Sequence, residues 1–352
     1  MICPKCGYTA PTTDRFCENC GTPLLTDVAP SNVSGLQVCH CPPGQSKPDE
    51  DGYCQVCGVH CISEAEAARK HVEVSIDERL ALVTDVGRRH PINEDMGSVV
   101  RSAENTVVMV VADGVSTSTN SDSASAATVE AVVAALTLPE AKGGSSSMGS
   151  PTPASPPEGV QLLPEVALSD AVRSAIVSAN QAVLNLPFAG GDEDGPESTV
   201  VVALCHDGRL AVGWVGDSRA YLVTLEAAEQ LTVDDSWAEE AIRGGQMSTQ
   251  QAMLDKRAHM VTQVLGMRDQ QLDIHVVERE LPKDSILLLC SDGLWNYFLE
   301  CDELAATLRQ GRSSGDSLSA CRSLVDTANE RGGQDNVTVA LLYMQSPPSS
   351  SS

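Results

Sequence analysis

The residues of this chain best suited to chemistry are acidic residues that stand beside strand-like apolar runs and next to Gly or Asn. They are Glu94, Asp95, Asp113, Asp292 and Asp335. A single Asp-Gly pair is most simply a turn, because this dipeptide is favoured in hairpins. Several carboxylates in one pocket repel each other, however, and a divalent cation relieves that repulsion. Carboxylate oxygens favour Mg²⁺ or Mn²⁺ over Zn²⁺, so the pattern predicts such a site.

A second kind of metal ligand is concentrated in residues 1–61, which contain nine of the 13 cysteines. Thiolate pairs spaced Cys-x-x-Cys hold a tetrahedral Zn²⁺, and the Gly after each pair permits the positive φ that turns backbone amides toward sulfur. Because we expect the chain in the reducing cytoplasm, we predict one or two structural zinc ions rather than disulfides. The predicted ligands are Cys3, Cys6, Cys17 and Cys20 for the first ion, and Cys39, Cys41, Cys54 and Cys57 for the second. For the second ion, His40, His60 and Cys61 are alternatives to Cys39 and Cys41.

Composition excludes several classes of protein. The apolar runs, such as 107–112, are far shorter than the ~20 residues of a spanning helix, and residues 1–20 have no apolar signal-peptide core, so we expect a cytoplasmic protein that does not enter a membrane. The net charge of −25 disfavours binding to nucleic acid or to an anionic membrane surface. Residues 1–61 are also acidic, with three basic and six acidic side chains. We therefore expect the cysteine-rich module to dock a protein rather than a nucleic acid.

The elements that position the carboxylates are short β-rich runs and a smaller number of helical segments. The predicted strands are 80–84, 106–112, 199–205, 210–215, 220–225, 274–278, 285–290 and 337–343, and the predicted helices are 123–136, 168–186, 302–308 and 317–329. Strands and helices in groups, rather than in strict alternation, indicate helices packed on antiparallel sheets. Residues 62–79 are predicted to be a charged, helix-compatible linker, 139–164 a flexible Gly-, Ser- and Pro-rich insertion, and 344–352 a disordered tail. Four scattered cysteines are expected to be small buried apolar residues: Cys205, Cys290, Cys301 and Cys321.

Five motifs in residues 80–343 resemble, in the same order, those of the metal-dependent protein phosphatases of the type 2C class. They are Asn93-Glu94-Asp95, Val-Ala-Asp-Gly at 111–114, Ser198-Thr199 with Gly-Asp-Ser-Arg-Ala-Tyr-Leu at 216–222, Leu-Cys-Ser-Asp-Gly-Leu at 289–294 and Gly-Gln-Asp-Asn-Val-Thr at 333–338. The resemblance implies an α+β fold, a four-layer α-β-β-α sandwich of two antiparallel sheets flanked by helices. Residues 1–61 resemble the zinc ribbons of bacterial regulatory proteins and would form a double zinc-ribbon module before that domain.

The resemblance also implies a role for each acidic residue. Asp113 would bridge two Mg²⁺ or Mn²⁺ ions, and the carbonyl of Gly114 would bind one of them. Glu94, in the same acidic motif as Asp95, would hold one ion, and Asp292 with Asp335 the other. Asp217 is either the ligand of a third, weaker ion or an ordinary Asp in a hairpin turn.

The implied activity is hydrolysis of phosphoserine and phosphothreonine in proteins by a water activated between two ions. The substrates would be products of a bacterial serine/threonine kinase. The alternative is a weak or inactive phosphatase fold that serves as a binding module in a kinase signalling system. Retention of the four principal acidic ligands favours activity, whereas the loss of a phosphate-gripping Arg favours the alternative.

Three departures from the family pattern bear on the site. His90 stands in the place of that Arg, and we predict that it contacts the substrate phosphate or donates a proton to the leaving oxygen; the alternative is simple packing against Pro91. The hydroxyl-rich run 115–120 replaces a glycine-rich run. Asp235 replaces a common His, and the stretch from there to Arg257 resembles the flap that tunes substrate choice.

Overall fold

The computed structural model describes residues 56, 68–102, 106–137, 167–188, 195–268, 271–298 and 300–344. The chain divides into two compact units, Met1–Cys61 and Ile62–Ser352. The cysteine ligands predicted for zinc, the insertion 139–164 and residues 345–352 lie outside the described residues.

Two antiparallel sheets form the centre of the second unit. The six-stranded sheet has the order β1-β2-β11-β10-β7-β8, made of His71–Asp77 (β1), Leu80–Asp85 (β2), Val337–Tyr343 (β11), Ile286–Cys290 (β10), Arg219–Val223 (β7) and Ala228–Gln230 (β8). The five-stranded sheet has the order β3-β4-β5-β6-β9, made of Asp95–Arg101 (β3), Val107–Asp113 (β4), Val200–His206 (β5), Arg209–Val215 (β6) and His275–Glu280 (β9).

Helices cover the outer face of each sheet. Ser121–Leu136 (α1) and Leu168–Leu184 (α2) pack on the five-stranded sheet. Two short helices follow β8, Trp237–Arg243 (α3) and Thr249–Met253 (α4), and they share a small apolar core of their own. Asp292–Trp295 (α5), Cys301–Ser314 (α6) and Ser317–Glu330 (α7) pack on the six-stranded sheet. The predicted α-β-β-α order of layers is confirmed.

The sequence of the central strands explains why they are buried on both faces. In β4, Val107, Met109 and Val111 point into the core between the two sheets. The alternating residues Val108, Val110 and Ala112 pack under α1 and α2 instead. Successive side chains of a strand point to opposite faces, so a strand between two apolar layers is apolar throughout. This is why continuous apolar runs predicted these strands correctly.

The range 62–79, predicted to be a helix-compatible linker, contains β1, which pairs with β2 along the edge of the six-stranded sheet. Its polar residues, such as His71 and Glu73, alternate with apolar ones, such as Val74 and Ile76, that pack against the core between the sheets. Only one face of this edge strand is apolar. The charged residues of its other face are also typical of an exposed helix, which is why the sequence was interpreted as helix-compatible. None of the described helices combines the length and the apolar content needed to cross a bilayer.

Candidate metal centre

The predicted acidic residues come from the ends of strands in both sheets. Asp95 is the first residue of β3 and Asp113 is the last residue of β4. Asp292 begins α5 directly after β10, so it lies in a strand-to-helix junction rather than in a hairpin turn. Asp335 lies two residues before β11, and Asp217 lies where the chain passes from β6 of one sheet to β7 of the other. The sandwich therefore gathers carboxylates that are far apart in sequence.

Burial and mutual repulsion dominate the electrostatics of this cluster. Desolvation raises the pKa of Asp113 well above its usual range, and the charges of Asp95, Asp292, Asp335 and Asp217 raise it further. The pKa of Asp292 is likewise raised well above its usual range, first by desolvation and then by Asp217 and Asp335. Desolvation raises the pKa of Asp95 to about 6 and that of Asp217 to about 7. Such a group of buried carboxylates requires protons or a cation to neutralise it.

The carboxyl oxygens are only partly satisfied by the protein. The Asp113 carboxyl interacts with those of Asp95 and Asp292 and offsets part of the rise in their pKa. Oδ2 of Asp95 accepts hydrogen bonds from the hydroxyls of Ser291, at 2.7 Å, and Thr338, at 2.8 Å. In the described part of the chain no donor reaches the buried Oδ1 of Asp95 or of Asp292. These unpaired anionic oxygens are the hard ligands that Mg²⁺ and Mn²⁺ prefer, so the donor set fits such ions.

The side chains are not arranged around a single point. Among the described Asp, Glu, His and Cys residues, no three stand together in a group that could enclose one ion. The carboxylates are close enough to raise one another's pKa, but they do not converge on one position. The fit therefore rests on the chemistry and burial of the donors.

Glu94 is held by residues of three other segments. Its backbone N–H donates to Oδ1 of Asn336 at 2.7 Å, and its carbonyl accepts from the N–H of Gly114 at 3.2 Å. The two oxygens of its carboxylate accept hydrogen bonds from Ser116 and Ser121. A Cβ at Gly114 would lie 2.3 Å from the carbonyl oxygen of Ser121 and 2.9 Å from that of Glu94, so only Gly fits there.

The imidazole of His90 lies between two of the predicted ligands. Its Nε2 is 3.4 Å from Oδ1 of Asp335, and its Nδ1 is 3.9 Å from Oε2 of Glu94. The side chain is 28% exposed, so it borders the carboxylate cluster and solvent together. The rim of the carboxylate cluster therefore carries an imidazole beside the acidic side chains.

Asp235 anchors the base of the segment that carries α3 and α4. Its Oδ2 accepts from the N–H of Gly216 at 2.9 Å and from Nε2 of Gln263 at 3.2 Å. Its Oδ1 lies 2.9 Å from Nε2 of His275, whose ring stacks on Trp214 with centroids 5.2 Å apart. Gly216 precedes Asp217, so this network joins the segment to the turn that holds the predicted third ligand. Sequence reasoning identified Asp235 as a departure but missed its partners, Gly216 just after β6, Gln263, and His275 on β9.

A second group that sequence reasoning missed supports Asp217 from the side. The indole N–H of Trp295 donates to the carbonyl of Asp217 at 3.0 Å. The guanidinium of Arg219 lies 3.6 Å from the centre of the Trp295 ring and pairs with Asp234 through two N–H groups, the shorter contact being 2.7 Å. The only sign of this support in the sequence was that Arg219 follows Asp217 by two residues. Desolvation and the charge of Asp234 raise the pKa of Asp217, whereas the Arg219 guanidinium lowers it.

Comparison with known proteins shows that the chain is similar to serine/threonine phosphatases. Residues 87–327 match the family model described as Protein phosphatase 2C, and residues 2–24 match one described as zinc-ribbon domain. The serine/threonine phosphatase stp of Listeria welshimeri is 30% identical over 260 residues, which cover 74% of this chain and 93% of that protein.

Solved structures share the fold at lower identity. The serine/threonine phosphatase Stp1 from Staphylococcus aureus matches with a TM-score of 0.63 at 23% identity, over 78% of this chain and 98% of that one. The catalytic domain of the serine/threonine protein phosphatase PstP, solved in complex with two manganese ions, matches with a TM-score of 0.54 at 22% identity, over 76% and 98% of the two chains.

Proposed function

Because the chain belongs to the protein phosphatase 2C family, we propose that it hydrolyses phosphoserine and phosphothreonine in proteins at a dinuclear Mg²⁺ or Mn²⁺ centre. The observation that carries the proposal is the desolvated cluster of Asp95, Asp113 and Asp292, with Asp335 at its solvent-exposed edge. Its carboxylates raise one another's pKa, and two of their oxygens accept from no donor in the described part of the chain. The relatives named serine/threonine phosphatase support the substrate class.

The residues proposed to hold the ions are those that the family motifs indicate. Asp113 would bridge two ions, Gly114 would offer its carbonyl, and Glu94 would bind one ion. Asp292 and Asp335 would bind the other, with Asp95 in the same cluster and Asp217 at a third, weaker position. When bound, such ions supply a water of lowered pKa and offset charge on the phosphoryl oxygens.

The other residues of the site would orient these ligands and the substrate. Thr199 fixes Asp113, because its Oγ1 accepts from the Asp113 N–H at 3.1 Å and its N–H donates to the Asp113 carbonyl at 2.8 Å. His90, at the rim between Glu94 and Asp335, would face the entering phosphate. From there its ring N–H can bind a phosphate oxygen or donate a proton to the departing Ser or Thr oxygen.

The cysteine-rich unit is proposed to be a structural module outside the reaction. Cys3, Cys6, Cys17 and Cys20 would bind one zinc ion, and Cys39, Cys41, Cys54 and Cys57 a second. Closed tetrahedral sites leave no open position for a reacting water. The acidic composition of residues 1–61 suits docking to a protein rather than to a nucleic acid, and a bacterial serine/threonine kinase would supply the phosphorylated substrates.

The test is Mn²⁺-stimulated release of phosphate from phosphoserine and phosphothreonine peptides by the full chain. We expect release by the wild-type protein and its loss in Asp292→Asn, since an amide cannot replace an anionic oxygen ligand. An inactive wild type that still binds the phosphopeptides would favour the second candidate, a phosphatase fold used as a binding module, for which the replacement of an Arg by His90 is the specific argument. Near wild-type turnover in Asp292→Asn would contradict the dinuclear mechanism.

A further inference from the structure

We propose that Ser116 and Ser121 are positioning residues for Glu94, and that their hydroxyls hold its carboxylate in the orientation that binds the cation. The proposal deepens the proposed function and rests on it only in assigning Glu94 to the metal centre. It gives a role to the hydroxyl-rich run 115–120, which replaces the glycine-rich run of related phosphatases and has no other part in the proposed reaction.

The geometry divides the Glu94 carboxylate between the two serines. Oγ of Ser116 donates to Oε2 at 2.6 Å, and Oγ of Ser121 donates to Oε1 in a short hydrogen bond. Ser125, one turn further along α1, donates from its Oγ to the Glu94 carbonyl. Glu94 is 8% exposed, so water cannot replace these donors freely. Serines of α1 and of the turn before it therefore hold both the side chain and the backbone carbonyl of Glu94.

The donors are themselves fixed in place. The Ser118 Oγ donates to the Val115 carbonyl at 2.7 Å and accepts from the Glu197 N–H at 3.2 Å, which closes the turn that carries Ser116. Asn120, with φ of 54°, directs the chain into α1, and its Nδ2 donates to the Pro187 carbonyl at 3.1 Å. Ser121 is 4% exposed at the first position of the helix. The hydroxyls therefore arrive in fixed directions.

Hydrogen bonding of this kind leaves room for a cation. Each carboxylate oxygen has two lone pairs, so accepting one hydroxyl proton leaves one lone pair for a metal ion. A hydroxyl on each oxygen also fixes the rotation of the carboxylate, and because it is neutral it leaves the negative charge available to the cation. Groups that orient a metal ligand in this way typically contribute about 10–100-fold to metal affinity. Ser116 and Ser121 should therefore affect cation affinity more than they affect folding.

The test measures Mn²⁺ affinity by calorimetric titration of the full chain, counting only the ions whose binding is lost in Asp292→Asn. We expect the double variant Ser116→Ala with Ser121→Ala to bind Mn²⁺ about tenfold or more weakly, and Ser116→Thr to retain wild-type affinity because the hydroxyl is kept. Ser123→Ala is the matched control, since its exposed hydroxyl on the same helix lies 3.5 Å from Asp122 and does not contact Glu94. If Ser121→Ala lowers the melting temperature of the metal-free protein, the exposed Ser116→Ala alone carries the comparison.

Unchanged Mn²⁺ affinity in the double variant would overturn the proposal, as would an equal loss in Ser123→Ala, which would indicate a general effect of the helix. A wild type that binds no Mn²⁺ at the site would overturn it as well. A wild type that binds Mn²⁺ but releases no phosphate would contradict the proposed function, whereas a weakened affinity of the serine variants would still support their role.

Discussion

Asp95 and Asp113 are register partners in the antiparallel pair of β3 and β4, the first residue of one strand opposite the last residue of the other. Side chains of directly opposite residues point to the same face of a sheet. A register shift of one residue would turn one carboxylate to the other face and separate the pair. The pairing register of β3 and β4 therefore keeps two acidic residues of the proposed centre next to each other.

Replacement of Asp113 by Asn should remove activity and yet stabilise the metal-free protein. The pKa of Asp113 is raised well above its usual range by burial and neighbouring charges, so its ionised form is unfavourable in the folded state at neutral pH. An amide carries no charge, so we expect a higher melting temperature in EDTA, by on the order of a few °C. Mn²⁺ should raise the melting temperature of the wild type but not that of the variant. Asp326→Asn, at an exposed position of α7, is the control, and a lower melting temperature of Asp113→Asn in EDTA would speak against this account.

The metal-free protein should lose stability as the pH rises. Burial raises the pKa of Asp95 to about 6 and that of Asp217 to about 7, from ordinary values of 3.8. Above the ordinary value the folded state binds more protons than the unfolded state, so the free energy of unfolding falls as the pH rises. Asp113 and Asp292, whose pKa values are raised well above their usual range, contribute to the same decrease. Saturating Mn²⁺ should abolish this decrease, because cations replace the protons. Urea unfolding from pH 4 to pH 8, with EDTA and with Mn²⁺, measures both slopes; identical slopes would refute the explanation.

Loss of the Asp235 carboxylate should loosen the segment that carries α3 and α4. Asp235→Ala leaves the N–H of Gly216 and the ring of His275 without their acceptor, which we expect to cost about 1–3 kcal/mol. Trypsin should then cut faster at Lys256 and Arg257 in the native protein. Glu240→Ala, an exposed change on α3, serves as the control. Equal cleavage rates in wild type and Asp235→Ala would show that the segment is held by other contacts.

Replacement of His90 should distinguish two roles for this residue. If His90 binds phosphate, His90→Arg should restore the affinity lost in His90→Ala, because a guanidinium donates hydrogen bonds to phosphate oxygens. If His90 donates the proton, both variants should fail on phosphoserine peptides and yet turn over an aryl phosphate, whose leaving group needs no proton. Unchanged kinetics of His90→Ala on both substrates would leave only a packing role.

The N-terminal unit should be dispensable for hydrolysis of a small aryl phosphate. The chain to test begins at Ile62, because a start near Glu73 would remove part of β1 and also Arg69. The Arg69 guanidinium donates to the carbonyls of Asp95, at 3.1 Å, and Asp122, at 3.0 Å. We expect turnover comparable to that of the full chain at saturating Mn²⁺. A folded chain from Ile62 without this activity would contradict the separation of the two units.

The sequence by itself predicted most of the strands and helices, and its motifs, through their resemblance to a family, predicted the order of the layers and the acidic residues of the proposed centre. Strands such as β4 and β10 are apolar on both faces, and that signal is local, since it depends only on which side chains need burial. The acidic motifs were recognisable for a similar reason, because each occupies a few consecutive residues at the end of such a strand. The edge strand β1 was missed, since its exposed face carries charges.

Only the tertiary structure decided which side chains surround the acidic residues. The serines that hold Glu94 and the His275 ring that faces Asp235 are brought near by the packing of one element on another. Gly293 is an example of such a contact between elements. A Cβ at this position would lie 1.9 Å from the carbonyl oxygen of Asn336, because α5 packs closely against the residue that precedes β11. Hydrogen bonds act over about 3 Å, so they depend on how the elements pack, which residue types and spacing along the chain do not specify.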